Sequence, residues 1–159
     1  LSAGMRAALK RDYPTFRIFK LDDYQEELRL QLQPWSTNLI CYSAVFRDFN
    51  GDGLFDAAVL GEYNEQHLGE GTSSNPAIPD ADTRSFAVLA ILSQGTTNYT
   101  VSEVTRIGTS KTVSTYLGLS APGKKFKNYG ISVTEGVGGT VYYWDDKQKG
   151  FKEIVAGGM

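Results

Sequence analysis

At 159 residues the chain has the size of one domain, long enough to bury roughly 70% of the surface its unfolded form exposes. Its 41% apolar and 21% charged content argue against disorder, collagen and coiled coil. The formal net charge is −2 and Lys124, Lys125 and Lys127 form the only local basic cluster, which argues against nucleic-acid binding; no apolar run approaches the ~20 residues that a transmembrane helix needs.

The chain begins at Leu1, so upstream residues are expected, and the sequence leaves open whether they are a cleaved signal peptide. Residues 2–11 are rich in helix formers, with Met5, Ala8 and Leu9 at helical spacing, and Pro14 stops that helix by Tyr13. Residues 16–19 suit a short strand. Asp23 and Glu26 have the spacing of a capping box for a second helix, lined by Leu21, Tyr24, Leu28 and Leu32 and ending before Pro34.

Residues 39–46 and 57–61 are short, apolar and bounded by turns, as strands are. The first carries apolar groups at both parities, which predicts a central strand covered on both faces, and residues 86–92 are similar. Cys41 lies in the first of these runs. As the sole cysteine it excludes an intrachain disulfide and a thiolate zinc site, and it reads as a small buried thiol. Residues 64–85 are long, polar and broken by Pro76 and Pro79, which predicts a mobile surface insertion. Residues 94–98 supply a turn, and 99–107 a more polar, edge-like strand. Residues 113–119, 130–134, 140–145 and 151–155 complete the strands. The expected fold is therefore α+β: two short N-terminal helices on a mostly antiparallel sheet of about 6–8 strands, in one domain spanning residues 1–159.

One stretch carries chemistry. Asp48, Asn50, Asp52 and Asp56 place side-chain oxygens at relative positions 1, 3, 5 and 9. Gly53 permits a sharp turn at position 6, and Leu54 offers its backbone carbonyl at position 7. Alternate residues then point inward around one hard cation. Three carboxylates, an amide oxygen and a carbonyl give about five oxygens, and waters complete the six to eight that Ca2+ takes. Mg2+ demands tighter octahedral geometry, and Zn2+ prefers nitrogen and sulfur ligands that the stretch lacks. An EF-hand needs a bidentate Glu at position 12, where Val59 stands. Without that ligand, binding is expected to fall toward the ~0.1–1 mM range of extracellular modules, which implies an extracytoplasmic home. The alternative is a metal-free turn in which Asp and Asn cap their own backbone.

The segment DFNGDGLFDAAVLG resembles the calcium loop of FG-GAP and VCBS-type repeats. The resemblance implies that Asp48, Asn50, Asp52 and Asp56 ligate the ion. It covers about a tenth of the chain and occurs once, and 159 residues are too few for blades, so a propeller is not expected. The wider layout is similar to uncharacterised bacterial secreted or lipoprotein-like domains. They share a YP-x-F segment, here at Tyr13 to Phe16, and a late YYW strand, here Tyr142, Tyr143 and Trp144.

Catalytic constellations are sparse. His67 is the single histidine, set in the long polar stretch, where a solvated side chain is expected. Pro122 breaks the nucleophile-elbow pattern around Ser120. Glu26 with Glu27 and Asp145 with Asp146 are sequence neighbours whose side chains diverge, unlike a glycosidase dyad. The expected function is a non-catalytic envelope or secreted domain with a structural Ca2+ that locks the hairpin 39–61 and an unknown protein or envelope ligand as partner. The alternatives are a metal-assisted hydrolase, with Glu62 or Glu65 beside the ion, and a metal-free structural domain. Tyr142, Tyr143 and Trp144 fit core packing or an aromatic contact surface.

Overall fold

The structure is a computed structural model that describes residues 1–32, 42–64, 84–108 and 113–155. Several expectations fall outside them: the first part of the predicted strand 39–46 with Cys41, the end of the second helix near Pro34, and most of the stretch 64–85 with His67 and Glu65.

Helix α1, Ala3–Asp12, forms where the sequence places it. The Ser2 hydroxyl accepts the Met5 amide at 3.2 Å and so caps the N-terminus, while Lys10 and Arg11 oppose the negative C-terminal end. Strand β1 is short, Arg17–Ile18. A single 3-10 turn, Leu21–Asp23, precedes α2, Glu26–Leu32. Asp23 does not cap α2 as its spacing suggested. Its carboxylate accepts the Lys20 amide at 2.6 Å and pairs with Arg17 at 2.7 Å, so it closes the 3-10 turn, and the Gln25 carbonyl accepts the first bond of α2 from Arg29. The predicted apolar face of α2 also divides. Tyr24 is buried and Leu28 packs against the core, whereas Leu21 is exposed.

The remaining strands are β2 (Ala44–Arg47), β3 (Asp56–Asn64), β4 (Arg84–Gln94), β5 (Asn98–Ile107), β6 (Thr115–Ser120), β7 (Gly130–Glu135), β8 (Gly138–Asp145) and β9 (Gly150–Val155). All pairings between these strands are antiparallel, and Tyr24 and Val113 add one parallel bridge. The strands do not form one sheet of 6–8 members. Among the described residues nine strands divide into a sheet ordered β1-β3-β4-β5, with β2 also on β3, and a second ordered β6-β7-β8-β9. Two-residue β1 lies below the length at which alternation can be read, and periodicity does not state which hairpins share a sheet.

The doubly covered strands are β3 and β4. Ala58, Leu60, Val88, Ala90 and Leu92 face the second sheet and meet Leu117, Ile131, Val133 and Tyr142. Ala57, Val59, Ala87, Leu89 and Ile91 point the other way, onto Met5 and Leu9 of α1. The molecule is thus layered helix, sheet, sheet, and each fully buried Val, Leu or Ile contributes roughly 1.5–3 kcal/mol. The expectation of two-faced burial holds for β4. It fails for β2, whose residues are half-buried or exposed, because β2 lies beside β3 at the margin of the sheet. Edge-like β5 is the outer strand, as its polarity predicts. The predicted loop 64–85 is shorter at both ends, since Asn64 and Arg84, and Tyr63 and Ser85, are cross-strand partners. Gly61 lets β1 approach: a Cβ there would collide with the Arg17 carbonyl and with the Phe16 ring at 2.8 Å. Among the described residues no helix is long and apolar enough to cross a membrane.

Candidate functional site: the acidic bend between β2 and β3

The last rung of the β2–β3 ladder pairs Arg47 with Asp56, so residues 48–55 form the connection. It winds on its own side chains. The Asp48 carboxylate accepts the Gly51 amide at 2.6 Å and the Gly53 amide at 2.8 Å. Asn50 Oδ1 accepts the Asp52 amide at 3.1 Å, and Asp52 Oδ1 accepts the Leu54 amide at 2.8 Å. The Asn50 side-chain amide donates to Asp52 Oδ2 at 3.0 Å. Gly51 and Gly53 have φ of +80° and +84°, the left-handed conformation that lets a chain reverse direction at every second residue.

Two anchors fix the bend to the core. Phe49 is fully buried, with its ring edge-on to Phe151 at 6.4 Å, so the second residue of the bend is inserted between the sheets. Asp56 is also fully buried. Its oxygens accept the amide of Phe49 at 2.9 Å and that of Ser93, on β4, at 2.8 Å. The Ser93 hydroxyl donates to the Phe55 carbonyl at 2.6 Å. Burial pushes the Asp56 carboxyl up to about 6; the two amides pull it down, and the charges of Asp52 and Asp48 push it further up.

The five sequence-predicted residues, Asp48, Asn50, Asp52, Leu54 and Asp56, therefore lie in one bend, with the carboxylates of Asp48 and Asp52 close enough to Asp56 to disfavour its ionisation. Among the described residues no three acidic, histidine or cysteine side chains converge as a ready-made metal cage. The carboxylates instead turn onto backbone amides. One amide takes one acceptor position of an oxygen, and a carboxylate has about four. The donor set is all oxygen, which suits a hard cation. Among the described residues none of the three carboxylates forms an ion pair. Neighbouring Arg47 is held 5.2 Å over the Tyr129 ring.

Other candidates lie elsewhere. Glu62 pairs with Arg17 and Arg84 six positions along β3, about 20 Å from Asp56 at strand rise, too far to act on an ion in the bend. Asp145 accepts the amides of Lys147 and Gln148, which lowers its pKa, and Asp146 accepts the Trp144 indole N–H. Tyr142 and Tyr143 are buried and Trp144 is half-buried, so the YYW segment is mainly packing.

Sequence reasoning missed Phe49, Ser93 and Asn128. Phe49 had no signal that set it apart from Phe55, the second aromatic of the same connection, which is exposed. Ser93 had none, because it reaches Asp56 from 37 residues away. Asn128 was equally silent; its side-chain nitrogen lies 2.8 Å from where a Cβ on Gly51 would stand. Comparison with protein-family models, curated proteins and solved structures found no match to this chain.

Proposed function

We propose that the chain is a non-catalytic, extracytoplasmic domain that holds one structural Ca2+ in the bend 48–56 and serves in protein or ligand interaction. Asp48, Asn50, Asp52 and Asp56 supply side-chain oxygens and Leu54 its carbonyl. The observation that carries this reading is charge. Three carboxylates share one short bend, one of them fully buried, and none has a cationic partner among the described residues. A divalent cation removes that repulsion. The likeness of the bend to FG-GAP calcium loops supports the same ligand set. Binding in the ~0.1–1 mM range, expected without a bidentate Glu, fills the site outside the cytosol and leaves it nearly empty within.

The test is a calcium titration followed by calorimetry and by thermal unfolding. Ca2+ at 100 times its Kd adds about 2.7 kcal/mol to stability. In a domain of this size that raises Tm by roughly 5–10 °C. Asp48→Ala and Asp52→Ala abolish the rise. A Tm that stays constant up to about 10 mM Ca2+, an amount that fills any site of the expected affinity, assigns the bend to a metal-free turn.

A further inference from the structure

At the end of the molecule away from the bend, the two sheets part around a solvent-open cleft of about 420 Å3, within the roughly 300–1,000 Å3 of small-molecule sites. The end of β5 forms one wall, and Thr115 of β6, the end of β7 and the start of β8 form the other. Ile107 in this wall pairs with Phe86, seven positions along β4 from Ser93, so the cleft lies roughly 20 Å from Asp56 at strand rise. We propose that this cleft binds a neutral saccharide through the hydroxyls of Thr105, Thr115 and Thr140 and the carboxylate of Glu135, independently of any ion in the bend.

A buried hydroxyl is the first support. Thr115 is only 4% exposed, and among the described residues its hydroxyl has no hydrogen-bond partner. No fully sealed side-chain oxygen among the described residues lacks a partner, so the Thr115 hydroxyl opens into the cleft that it lines. A polar group held out of bulk water in this way costs free energy until a guest or a water bonds it.

Strand register is the second. Thr140 stands opposite Val133, and Thr115 opposite Glu135, so the side chains of each pair share a face. Val133 belongs to the inter-sheet cluster, which puts Thr140 on the inner face; Glu135, two residues on, lies there too and brings Thr115 with it. Thr105 meets them from the other sheet. Its Oγ1 accepts the Tyr142 hydroxyl at 3.1 Å, which leaves its own O–H to donate. Glu135 accepts one bond, from the Ser114 hydroxyl at 3.3 Å, out of the about four that a carboxylate can take.

Charge narrows the guest. Arg106 borders the cleft, but its guanidinium lies on the opposite face of β5, where it bonds Glu103 at 3.1 Å and sits 5.8 Å over the Tyr63 ring. Among the described residues the cleft therefore presents three neutral hydroxyls, one carboxylate and no inward-facing cation. An anion is repelled by Glu135, and an amine satisfies Glu135 while leaving the threonines unbonded. A guest with several hydroxyl groups engages all four, as a neutral sugar does.

The experiment is an amide-detected NMR titration of the chain with cellobiose, maltose and N,N′-diacetylchitobiose, beside galacturonate and choline as anionic and cationic controls. At least one neutral disaccharide is expected to shift the amides of Thr105, Thr115, Glu135 and Thr140 with a Kd below about 10 mM, and neither control is expected to do so. Thr115→Val deletes a hydroxyl that has no protein partner, so the variant keeps its fold and its unfolding midpoint while binding falls roughly fivefold. Glu135→Gln is expected to weaken binding about tenfold, and Lys10→Ala on α1 leaves it unchanged. The proposal is overturned if none of the three sugars saturates these shifts, if galacturonate or choline binds there as well, or if either cleft variant binds like the wild type. Calcium calorimetry on the same samples reports on the bend separately.

Discussion

Phe49→Ala and Phe55→Ala delete the same atoms from two residues of one connection, and the structure assigns them opposite consequences. Phe49 has no exposed surface and contacts the inter-sheet cluster, where its neighbours include Phe151. Truncating a buried phenylalanine removes its transfer free energy and leaves a cavity, for a cost of about 3–5 kcal/mol. That is a large fraction of the roughly 5–15 kcal/mol holding a domain together, and it corresponds to a Tm loss of roughly 6–20 °C. Phe55 is 68% exposed, so its truncation costs under about 0.5 kcal/mol. Urea unfolding of both variants, with the slope checked for constancy, measures the difference. The same loss should weaken the proposed calcium binding, because Phe49 and Asp56 fix the two ends of the bend and the Phe49 amide is itself bonded to Asp56. Equal costs for the two variants, or a Phe49→Ala cost under about 1 kcal/mol, would refute the placement of residue 49 between the sheets.

Other outcomes follow from single contacts. Gly51→Ala forces a side chain into the left-handed region and against Asn128, whereas Gly53→Ala at φ +84° meets nothing within 4 Å. Both should lose roughly 1–3 kcal/mol of stability to backbone strain, with the larger loss at Gly51 and part of it restored by Asn128→Ala in a double-mutant cycle. Arg17 bonds Asp23 and so lowers its pKa; this stabilisation is complete above the unfolded carboxylate value of about 3.9 and is lost as pH falls through the lower folded value. Arg17→Ala should therefore lower stability at neutral pH and flatten its dependence on pH at the acid end, as read from urea midpoints between about pH 2 and 6. Tyr24→Phe deletes a buried 2.7 Å hydrogen bond to Ser43, and an unfolding free energy reduced by about 1 kcal/mol is expected.

Legibility in the sequence followed the range of the interactions involved. Helix α1 was readable because its cap, its apolar spacing and its terminating proline all lie within a few residues. The acidic bend was readable for the same reason: its side chains bond amides two to five positions away, so spacing alone defines the turn. The 3-10 turn at Leu21–Asp23 was misread as a helix cap because Asp23 had two competing partners, and one of them, Arg17, lies outside the motif.

Local sequence thus determined which segments are strands, where the chain reverses and which oxygens can gather in the bend, since these depend on backbone sterics and on hydrogen bonds between near neighbours. Tertiary structure decided that the hairpins split into two stacked sheets, that β3 and not β2 is covered on both faces beside β4, and that Phe49 is buried while Phe55 is exposed. It also brought Ser93 to Asp56 and Asn128 to Gly51. Each of these depends on which apolar face meets which across long chain separations, and a one-dimensional pattern of hydrophobicity does not encode that pairing.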